Sequence, residues 1–159
     1  MVPLFRHIST VQVQKKGPPT EIGHSRGGAS AKIYAVVDAY GNPVQLMISE
    51  GQRNDIVYAI PLLEHIKIPE SSQILADRGY DNDQLIDYIY DRGGEPTILS
   101  RKSAKFERHC DWWLYKERHL VEKLFLKLKS YRRITTRYDK LACTYLGILC
   151  IATIMIWLK

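Results

Sequence analysis

The stretch SQILADRGYDNDQLIDYIYDRGGEPTILS, residues 72–100, decides the fold class, because a strand, a helix and a second strand follow one another in it. SQILAD is a short apolar run that ends at Asp77, and PTILS is a second such run. Between them, QLIDYIYDR has the spacing of an amphipathic helix and stops at Gly93 and Gly94. A strand–helix–strand unit implies a parallel pair of strands, so the sequence predicts an α/β protein.

Antiparallel structure is predicted upstream of this unit. AKIYAVVDAYGNPVQLMISEG, residues 31–51, contains two β-rich runs, and the Gly, Asn and Pro of DAYGNP supply a hairpin turn between them. Residues 14–30 are rich in Gly, Pro, Ser and charge and predict an exposed loop after a short N-terminal segment. A helix is expected over residues 54–66, where Pro61 should break it or restart it.

The C-terminal part of the chain predicts two helices. A long helix is expected from about Trp112 to Ser130, and a basic connection leads from it to LACTYLGILCIATIMIWL, residues 141–158. This last run carries no charge and is close to the length that spans a bilayer, so a membrane anchor is one interpretation. The other is a core helix that covers the sheet, which Cys143, Thr144, Gly147 and Thr153 favour because they dilute the apolar run.

Charge and cysteine content narrow the class of partner and the compartment. The net charge of +6 is concentrated in residues 101–140, which hold 13 Lys and Arg residues against 5 Asp and Glu residues. Such a segment favours a polyanionic partner, although a solvated helix face is the alternative. Cys110, Cys143 and Cys150 have no disulfide or zinc spacing, and the N-terminus lacks a signal peptide. These features favour one domain of about 159 residues in a reducing, cytoplasmic compartment.

Asp77 is the first candidate for chemistry. It stands at the carboxyl end of a predicted strand inside the strand–helix–strand unit, where open α/β sheets generally place their ligands. The alternative is a local role, since an Asp after a strand also accepts hydrogen bonds from the turn amides of Gly79 and Tyr80.

A second set of candidates lies on the predicted helix of residues 112–130. At about 100° per residue, Tyr115, Arg118, Glu122 and Lys129 fall on one stripe beside the apolar face. An ion pair between Arg118 and Glu122 would be the ordinary explanation, but it accounts for neither the Tyr nor the Lys. Two carboxylates from a strand end and a helix suit Mg²⁺, and basic neighbours suit phosphate.

These residues resemble a known family. Tyr115, Arg118, Glu122 and Lys129 reproduce the Y-x2-R-x3-E-x6-K signature of the DDE transposases of bacterial insertion sequences. LADRGYD resembles that family's second-Asp motif, GHSRGGASAKIYAVVDAYGNP its segment leading into the hairpin, and YRRITTRYDKLA the run after its Glu. The resemblance covers roughly residues 22–159. It implies an RNase H-like fold, a mixed sheet flanked by helices, with Mg²⁺ or Mn²⁺ held by two aspartates and a glutamate.

The resemblance also implies roles for individual residues. Asp77 would be the second metal-binding Asp and Glu122 the metal-binding Glu. The residues Tyr115, Arg118 and Lys129 would contact DNA phosphates near the scissile bond. Further salt-dependent contacts to the DNA backbone would come from four basic residues, Arg132, Arg133, Arg137 and Lys140.

The first Asp of the family is where the sequence departs from the pattern. It belongs to a D-[SG]-T motif on the first strand, and MVPLFRHISTVQVQKK contains no acidic residue. Asp38 is a second candidate, although it opens the hairpin turn, where Asp favours local hydrogen bonding. The helix-turn-helix domain that such transposases carry upstream, or on a separate reading frame, is also absent from residues 1–159. We therefore expect a partial catalytic domain, from a truncated or frameshifted reading frame.

Three hypotheses of function follow from the sequence. The first is a transposase, as a fragment or second reading frame, that binds DNA and performs metal-dependent cleavage and strand transfer. The second is an inactive remnant that binds DNA without sequence preference, or associates with intact transposase and interferes with it. The third is a small basic protein anchored in a membrane by residues 141–158.

Overall fold

The computed structural model describes residues 6–14, 24–25, 28–50, 54–104, 107–108, 110–136 and 141–158, with side chains from Ala31 onward. In chain order, its elements are β1 (Arg6–Gln14), β2 (His24–Ser25), β3 (Gly28–Val37), β4 (Pro43–Glu50), α1 (Ile56–Glu64), β5 (Gln73–Ala76), a 3₁₀ turn (Arg78–Tyr80), α2 (Asp83–Asp91), β6 (Glu95–Ile98), α3 (Trp112–Lys116), α4 (His119–Ser130), α5 (Arg132–Thr135) and α6 (Ala142–Trp157).

The strands form one mixed sheet in the order β4-β3-β1-β5-β6, and the two-residue β2 pairs with the start of β3. β1 lies in the middle, antiparallel to β3 and parallel to β5. β3 and β4 form the predicted antiparallel hairpin, and β5 and β6 form the predicted parallel pair. The structure thus joins a meander to a strand–helix–strand unit through β1.

The loop predicted for residues 14–30 is wrong in part. Gln14 ends β1, residues 24–25 form β2, and β3 begins at Gly28. β1 and β3 stay paired as far as the Gln14 and Ser30 positions, so pairing between distant strands overrides a composition that favours loops. Residues 15–23 and 26–27 lie outside the described part of the chain.

Helices cover the sheet on both faces. α1 and α2 pack on one face, around a core that includes Tyr34, Leu62 and Leu85. α4, α5 and α6 pack on the other face, around Phe125, Tyr145 and other apolar side chains. Two apolar layers therefore hold the sheet in a helix–sheet–helix arrangement.

α1 is continuous through Pro61, contrary to the predicted break. Proline removes the hydrogen bond that its N–H would make to the residue four positions earlier, which is Val57. Val57 is exposed in the first turn, where water can reach its carbonyl group, while Ala59, Leu62 and Leu63 anchor the helix in the core. Burial of this face outweighs the lost backbone bond. Asp55 takes the N-cap position without a side-chain cap bond, whereas Asn54 Oδ1 accepts a long 3.4 Å bond from the Ile56 N–H.

The long helix predicted for residues 112–130 is two helices, α3 and α4. At the junction, the Arg118 N–H donates to the Tyr115 carbonyl and the Val121 N–H donates to the Arg118 carbonyl, so the backbone bonds span three residues instead of four. This tightened turn gives Tyr115 and Arg118 orientations that an ideal helical wheel does not describe. The predicted common stripe therefore holds only in part.

α6 is buried on one side only. Tyr145, Leu149, Ala152, Thr153 and Ile156 face the core, as the predicted core helix requires. The opposite side is exposed and still apolar. Among the described residues, no helix is both long and apolar enough to cross a bilayer.

Candidate active site

Asp77 follows β5 directly, at the edge where the two parallel strands β5 and β6 end. Its backbone carbonyl accepts a 2.8 Å hydrogen bond from the Tyr80 N–H and closes the 3₁₀ turn. Its side chain makes no capping hydrogen bond. The local alternative, a carboxylate held by turn amides, is therefore wrong, and the carboxylate has a different partner.

That partner is Arg118, at the junction of α3 and α4. Its Nη1 donates to Asp77 Oδ1 over 2.6 Å and lies 3.3 Å from the Tyr115 hydroxyl oxygen. The guanidinium carbon also lies 4.9 Å from the centre of the Tyr115 ring, a cation–π distance. Trp112 meets the same ring edge-on at 6.0 Å. α3 therefore provides an aromatic support that fixes the position of Arg118 over Asp77.

The negative charges near Arg118 both favour its charged form. The hydrogen bond to Asp77 raises the pKa of the Arg118 guanidinium, and the negative charge of Glu122 adds to this effect. Burial raises the pKa of the Tyr115 hydroxyl, while the nearby Arg118 charge opposes that rise. Both members of the Asp77–Arg118 pair are about 40% exposed, so solvent limits the contribution of the pair to at most ~1 kcal/mol of stability. The pair thus contributes little to the stability of the fold.

Glu122 lies one turn after Arg118, in the first turn of α4, with an exposed side chain. It acts on Arg118 through its charge, whereas the ion pair of Arg118 is with Asp77, so the alternative explanation, a helical ion pair between Arg118 and Glu122, is wrong. Lys129 is exposed in the last turn of the same helix, two turns further on. The structure therefore brings Asp77, Tyr115 and Arg118 into contact, with Glu122 one turn further along and Lys129 two turns beyond it.

The remaining basic candidates follow α4. Arg132 and Arg133 are exposed on α5. Arg137 and Lys140 lie outside the described residues. The exposed pair extends positive charge beyond Lys129.

Asp38 has a structural role in the hairpin turn. Its Oδ1 accepts bonds of 2.9 Å from the Tyr40 and Asn42 N–H groups, and its Oδ2 accepts one of 3.3 Å from the Asn42 side chain. Gly41 completes the turn with a φ of +81°, a conformation that glycine adopts without strain. Both carboxylate oxygens of Asp38 therefore serve the turn.

The register of β1 identifies the position that faces the Asp77 edge. Ile8 pairs with Ala76, the residue before Asp77. Ile8, Ser9 and Thr10 also reproduce the D-[SG]-T pattern with isoleucine in place of the aspartate. Fold and motif thus point to the same position of β1, and the residue there has no carboxylate.

The ion pair between the buried Asp81 and the exposed Arg108 was missed by the sequence reasoning. Asp81 is 8% exposed, accepts a 2.7 Å hydrogen bond from the Arg101 N–H and pairs with Arg108. Arg108 also pairs with Asp83 over 2.6 Å. These contacts fasten the segment after β6 to the start of α2. The sequence YDND contains both acidic residues, but acidic residues just before a helix are also ordinary capping residues, so the spacing alone does not reveal the ion pair.

The described residues offer an incomplete set of metal ligands. They contain no group of three or more His, Cys, Asp or Glu side chains placed to hold an ion. Asp77 and Glu122 are oxygen donors of the kind that Mg²⁺ prefers. The fit to a divalent cation is therefore partial, with two of the three expected carboxylates.

Comparison with known proteins shows the family. Residues 7–157 match the family model described as Transposase DDE domain. The chain belongs to this family of DDE transposases, whose members generally use a divalent metal. The predicted family is confirmed.

The relatives are proteins of bacterial insertion sequences. A Brucella ovis protein named as a transposase for insertion sequence element IS6501 is 36% identical over 131 residues, which are 82% of this chain and 99% of that relative. A Burkholderia cepacia protein named as a transposase for insertion sequence element IS402 is 29% identical over 138 residues. That match covers 80% of this chain and 61% of the relative, so this chain spans about three fifths of the longer protein.

The fold also has a counterpart among solved structures. A chain of the simian T-cell lymphotropic virus intasome, determined in complex with PP2A regulatory subunit B56 gamma, aligns with 94% of this chain at a TM-score of 0.56 and 13% identity. The match covers 46% of that chain. At this identity the likeness concerns the fold alone, and it agrees with the predicted RNase H-like mixed sheet flanked by helices.

Proposed function

We propose that this chain acts in DNA transposition as the catalytic core of an insertion-sequence transposase, and that the edge containing Asp77 binds the DNA backbone. The observation that carries the proposal is the contact of Arg118 with Asp77 and Tyr115, beside Glu122. It brings together three of the four signature residues and the candidate second Asp. A structural ion pair alone would not require this combination.

Arg118 is the group best placed to bind a phosphate. Both of its hydrogen bonds to described residues come from Nη1, so other N–H groups of the guanidinium remain for phosphate oxygens. Its side chain is 40% exposed, which leaves it accessible to DNA. Lys129, Arg132, Arg133 and Arg137 would extend these contacts along the backbone without reading the base sequence.

Asp77 and Glu122 would hold Mg²⁺, or Mn²⁺, for strand cleavage and strand transfer. A bound cation would polarise a phosphoryl oxygen and lower the pKa of the attacking water or hydroxyl. In this structure Arg118 neutralises the Asp77 carboxylate. The described contact engages Asp77 Oδ1, so Oδ2 would be the oxygen that binds a cation while the other N–H groups of Arg118 reach a DNA phosphate.

A nicking assay tests the catalytic part of this proposal. Supercoiled DNA is incubated with the chain and Mg²⁺ or Mn²⁺, and the wild type is compared with Glu122→Gln. Glu64→Gln is the matched control, because Glu64 is exposed at the end of α1 on the other face of the sheet. We expect nicking by the wild type and Glu64→Gln and its loss in Glu122→Gln; equal nicking by all three proteins would contradict the assignment.

A binding assay tests the DNA contact separately. We expect Arg118→Gln to weaken binding about tenfold and to lower the slope of log affinity against log salt by roughly 0.9, the effect of one lost phosphate contact. Arg92→Gln is the control, since Arg92 also lies over a tyrosine ring, at 5.3 Å, and donates to the Tyr88 hydroxyl over 2.9 Å. Equal losses in both variants would show that the site has no special role in binding.

The incomplete ligand set favours a second candidate, a member of the family that binds DNA without cutting it or interferes with intact transposase. Ile8 stands at the β1 position next to the Asp77 edge, and the described residues contain no cluster of three or more His, Cys, Asp or Glu side chains that could hold a metal ion. This candidate predicts salt-sensitive DNA binding with no nicking in either metal. The two assays together therefore distinguish a working enzyme from a binding remnant.

A further inference from the structure

The outer sides of α4 and α6 form one exposed surface on the same face of the sheet. Both helices pack on the core around Phe125 and Tyr145, and their remaining sides face away from that core. We call the exposed set the outer surface. Its members are Lys123, Leu126 and Lys127 of α4, with Ile151, Ile154, Trp157 and Leu158 at and after the end of α6.

The α6 part of the outer surface is apolar although it is exposed. The exposed fractions of Ile151, Ile154 and Leu158 are 64%, 56% and 77%. Residues 141–158 contain no Asp, Glu, Lys or Arg, whereas a surface helix normally carries charge on its solvent side. An apolar area of this kind, next to polar neighbours, marks an interaction site. The exposed side of α6 therefore favours an apolar environment.

The α4 part of the outer surface is basic. Residues 123–158 hold seven Lys and Arg residues and one Asp. The acidic residue of α4, Glu122, lies on the same side of the helix as Lys129, about 100° away from Lys123 around the helix axis. The outer surface thus combines exposed aliphatic side chains with positive charge, and it is complementary to an anionic partner.

A cavity of about 420 Å³ joins the basic and apolar parts. Its lining residues are Asn42, Lys127, Ser130, Tyr131, Ile156 and Trp157. The Trp157 Nε1 donates a 2.8 Å hydrogen bond to the Pro43 carbonyl, which fixes the indole ring while about half of it stays exposed. Trp and Tyr side chains favour the boundary between water and lipid chains, and a lysine there binds lipid phosphate.

DNA alone does not account for the composition of the outer surface. Contacts to the DNA backbone are made by charged and polar groups, so exposed aliphatic side chains gain nothing from them. A bilayer surface offers both anionic headgroups and acyl chains. α6 has 16 residues and is about 24 Å long, whereas the hydrocarbon core of a bilayer is about 30 Å thick. A helix of this length and composition is suited to lie along a bilayer surface.

We propose that the outer surface binds the surface of an anionic phospholipid bilayer. α6 lies at the boundary between headgroups and acyl chains, and Lys123 and Lys127 contact headgroup phosphates. This proposal is independent of the DNA-binding edge, because both lysines lie off the side of α4 that carries Glu122 and Lys129. It depends on no metal and no catalytic residue.

Sedimentation of the full chain with phospholipid vesicles tests the proposal. The vesicles contain phosphatidylcholine alone or with phosphatidylglycerol as the anionic lipid. We expect the wild type to bind the anionic vesicles, to be released by high salt, and to bind pure phosphatidylcholine several-fold more weakly. Ile151→Glu should lower the binding constant about tenfold, because it places a charge among acyl chains. Lys127→Gln should lower it about fivefold on anionic vesicles and leave it unchanged on phosphatidylcholine.

Two matched controls make the same changes of charge on the opposite face of the sheet. Val57→Glu and Lys67→Gln alter exposed residues on or just after α1 and should bind the vesicles nearly as tightly as the wild type. Circular dichroism verifies that all four variants fold. A wild type that does not bind anionic vesicles would overturn the proposal, as would equal losses in variants and controls. Self-association through Ile151 without vesicle binding would also overturn it and assign the surface to a second copy of the chain.

Quenching of tryptophan emission by lipids with brominated acyl chains gives an independent measurement. Trp157 lies on the outer surface, whereas the other two tryptophans, Trp112 and Trp113, lie on α3. Brominated anionic vesicles should quench part of the wild-type emission, and Trp157→Phe should lose most of this quenching. Undiminished quenching in Trp157→Phe would overturn the proposal, because another surface would then contact the lipid. DNA binding by Ile151→Glu should equal that of the wild type, so a failure of the DNA-binding proposal is seen separately.

Discussion

Tyr34 and Tyr80 allow a direct measurement of what a buried hydroxyl contributes to this fold. Tyr34 is fully buried, and its hydroxyl lies 3.1 Å from Ser49 Oγ and donates to Asp55 Oδ1 over 3.2 Å. Tyr80 is 3% exposed, and its hydroxyl has no hydrogen-bond partner among the described residues. Replacing each tyrosine with phenylalanine removes the same oxygen atom. The change should lower the free energy of unfolding at Tyr34 and should not lower it at Tyr80.

The magnitude follows from what each hydroxyl leaves behind. A hydrogen bond to a carboxylate contributes about 1.5–3 kcal/mol. Asp55 is about one third exposed and keeps its 2.7 Å ion pair with Lys32, so we take the lower end. Tyr34→Phe should cost about 1.5 kcal/mol, or roughly 3–6 °C in Tm for a chain of this size. Tyr80→Phe removes an unpaired buried group and should leave stability unchanged or raise it by up to ~1 kcal/mol.

Alkaline pH adds a second signature of Tyr34. Burial, and then the charge of Asp55, raise the pKa of Tyr34 to about 12 against the opposing bond to Ser49. Above pH ~10 the unfolded chain releases this proton while the folded chain keeps it, so unfolding becomes more favourable. The contribution of Tyr34 to the free energy of unfolding is complete below pH ~10. It falls by about 3 kcal/mol on going toward pH 12. Tyr34→Phe should lack this loss.

Urea denaturation followed by circular dichroism, at neutral pH and at about pH 11, measures both effects. The wild type should lose more stability between the two conditions than either variant does, because burial raises the pKa of Tyr80 as well as that of Tyr34. If Tyr80→Phe costs as much as Tyr34→Phe at neutral pH, the reasoning from hydrogen-bond partners is refuted.

Three further predictions concern packing at Gly94, the ion pair of Asp81, and Ile8, which stands on β1 where the family has its first Asp. Gly94→Ala should cost about 1–3 kcal/mol in urea denaturation, because its new carbon would lie 3.1 and 3.2 Å from two isoleucine methyl groups, whereas Gly79→Ala meets no described atom within 4 Å and should be nearly neutral. Asp81→Asn should cost about 2–3 kcal/mol and speed proteolysis within residues 101–108, measured by mass spectrometry; unchanged cleavage would contradict the fastening role. Ile8→Asp should bind Mg²⁺ more tightly than Ile8→Asn in calorimetry, and equal affinities would place the missing carboxylate elsewhere.

Local patterns in the sequence predicted the parts of the fold that depend on neighbouring residues. The hairpin β3–β4 and the unit β5–α2–β6 carry their own turns, caps and apolar spacing, so both were recognised. β1 was missed because its partners lie far along the chain and a Gly- and Pro-rich stretch follows it. The break predicted at Pro61 was wrong because tertiary contacts again override a local signal. Burial of one face of α1 keeps the helix continuous.

The site was predictable as a set of residues but not as a set of contacts. Helical spacing placed Arg118 near Glu122, and the position of Asp77 at a strand end marked it as a candidate. The ion pair that forms joins Arg118 to Asp77, 41 residues earlier in the chain. The periodicity of one helix does not show which residue of another element its side chains will contact in the folded chain. The tightened turn between α3 and α4, which aims Arg118, is likewise invisible to an ideal helical wheel.

The position of β1 between β3 and β5 has a consequence for the order in which the molecule assembles during synthesis. β1 precedes the other strands of the described sheet in the chain, and its antiparallel partner β3 is made before β5, so the meander can form early. β5 and β6 then extend a sheet that is already present. Asp77 is in place at that stage, but Arg118 arrives only with the segment that joins α3 to α4. A nascent chain that stops before this segment would contain every strand of the sheet and an Asp77 carboxylate without its arginine.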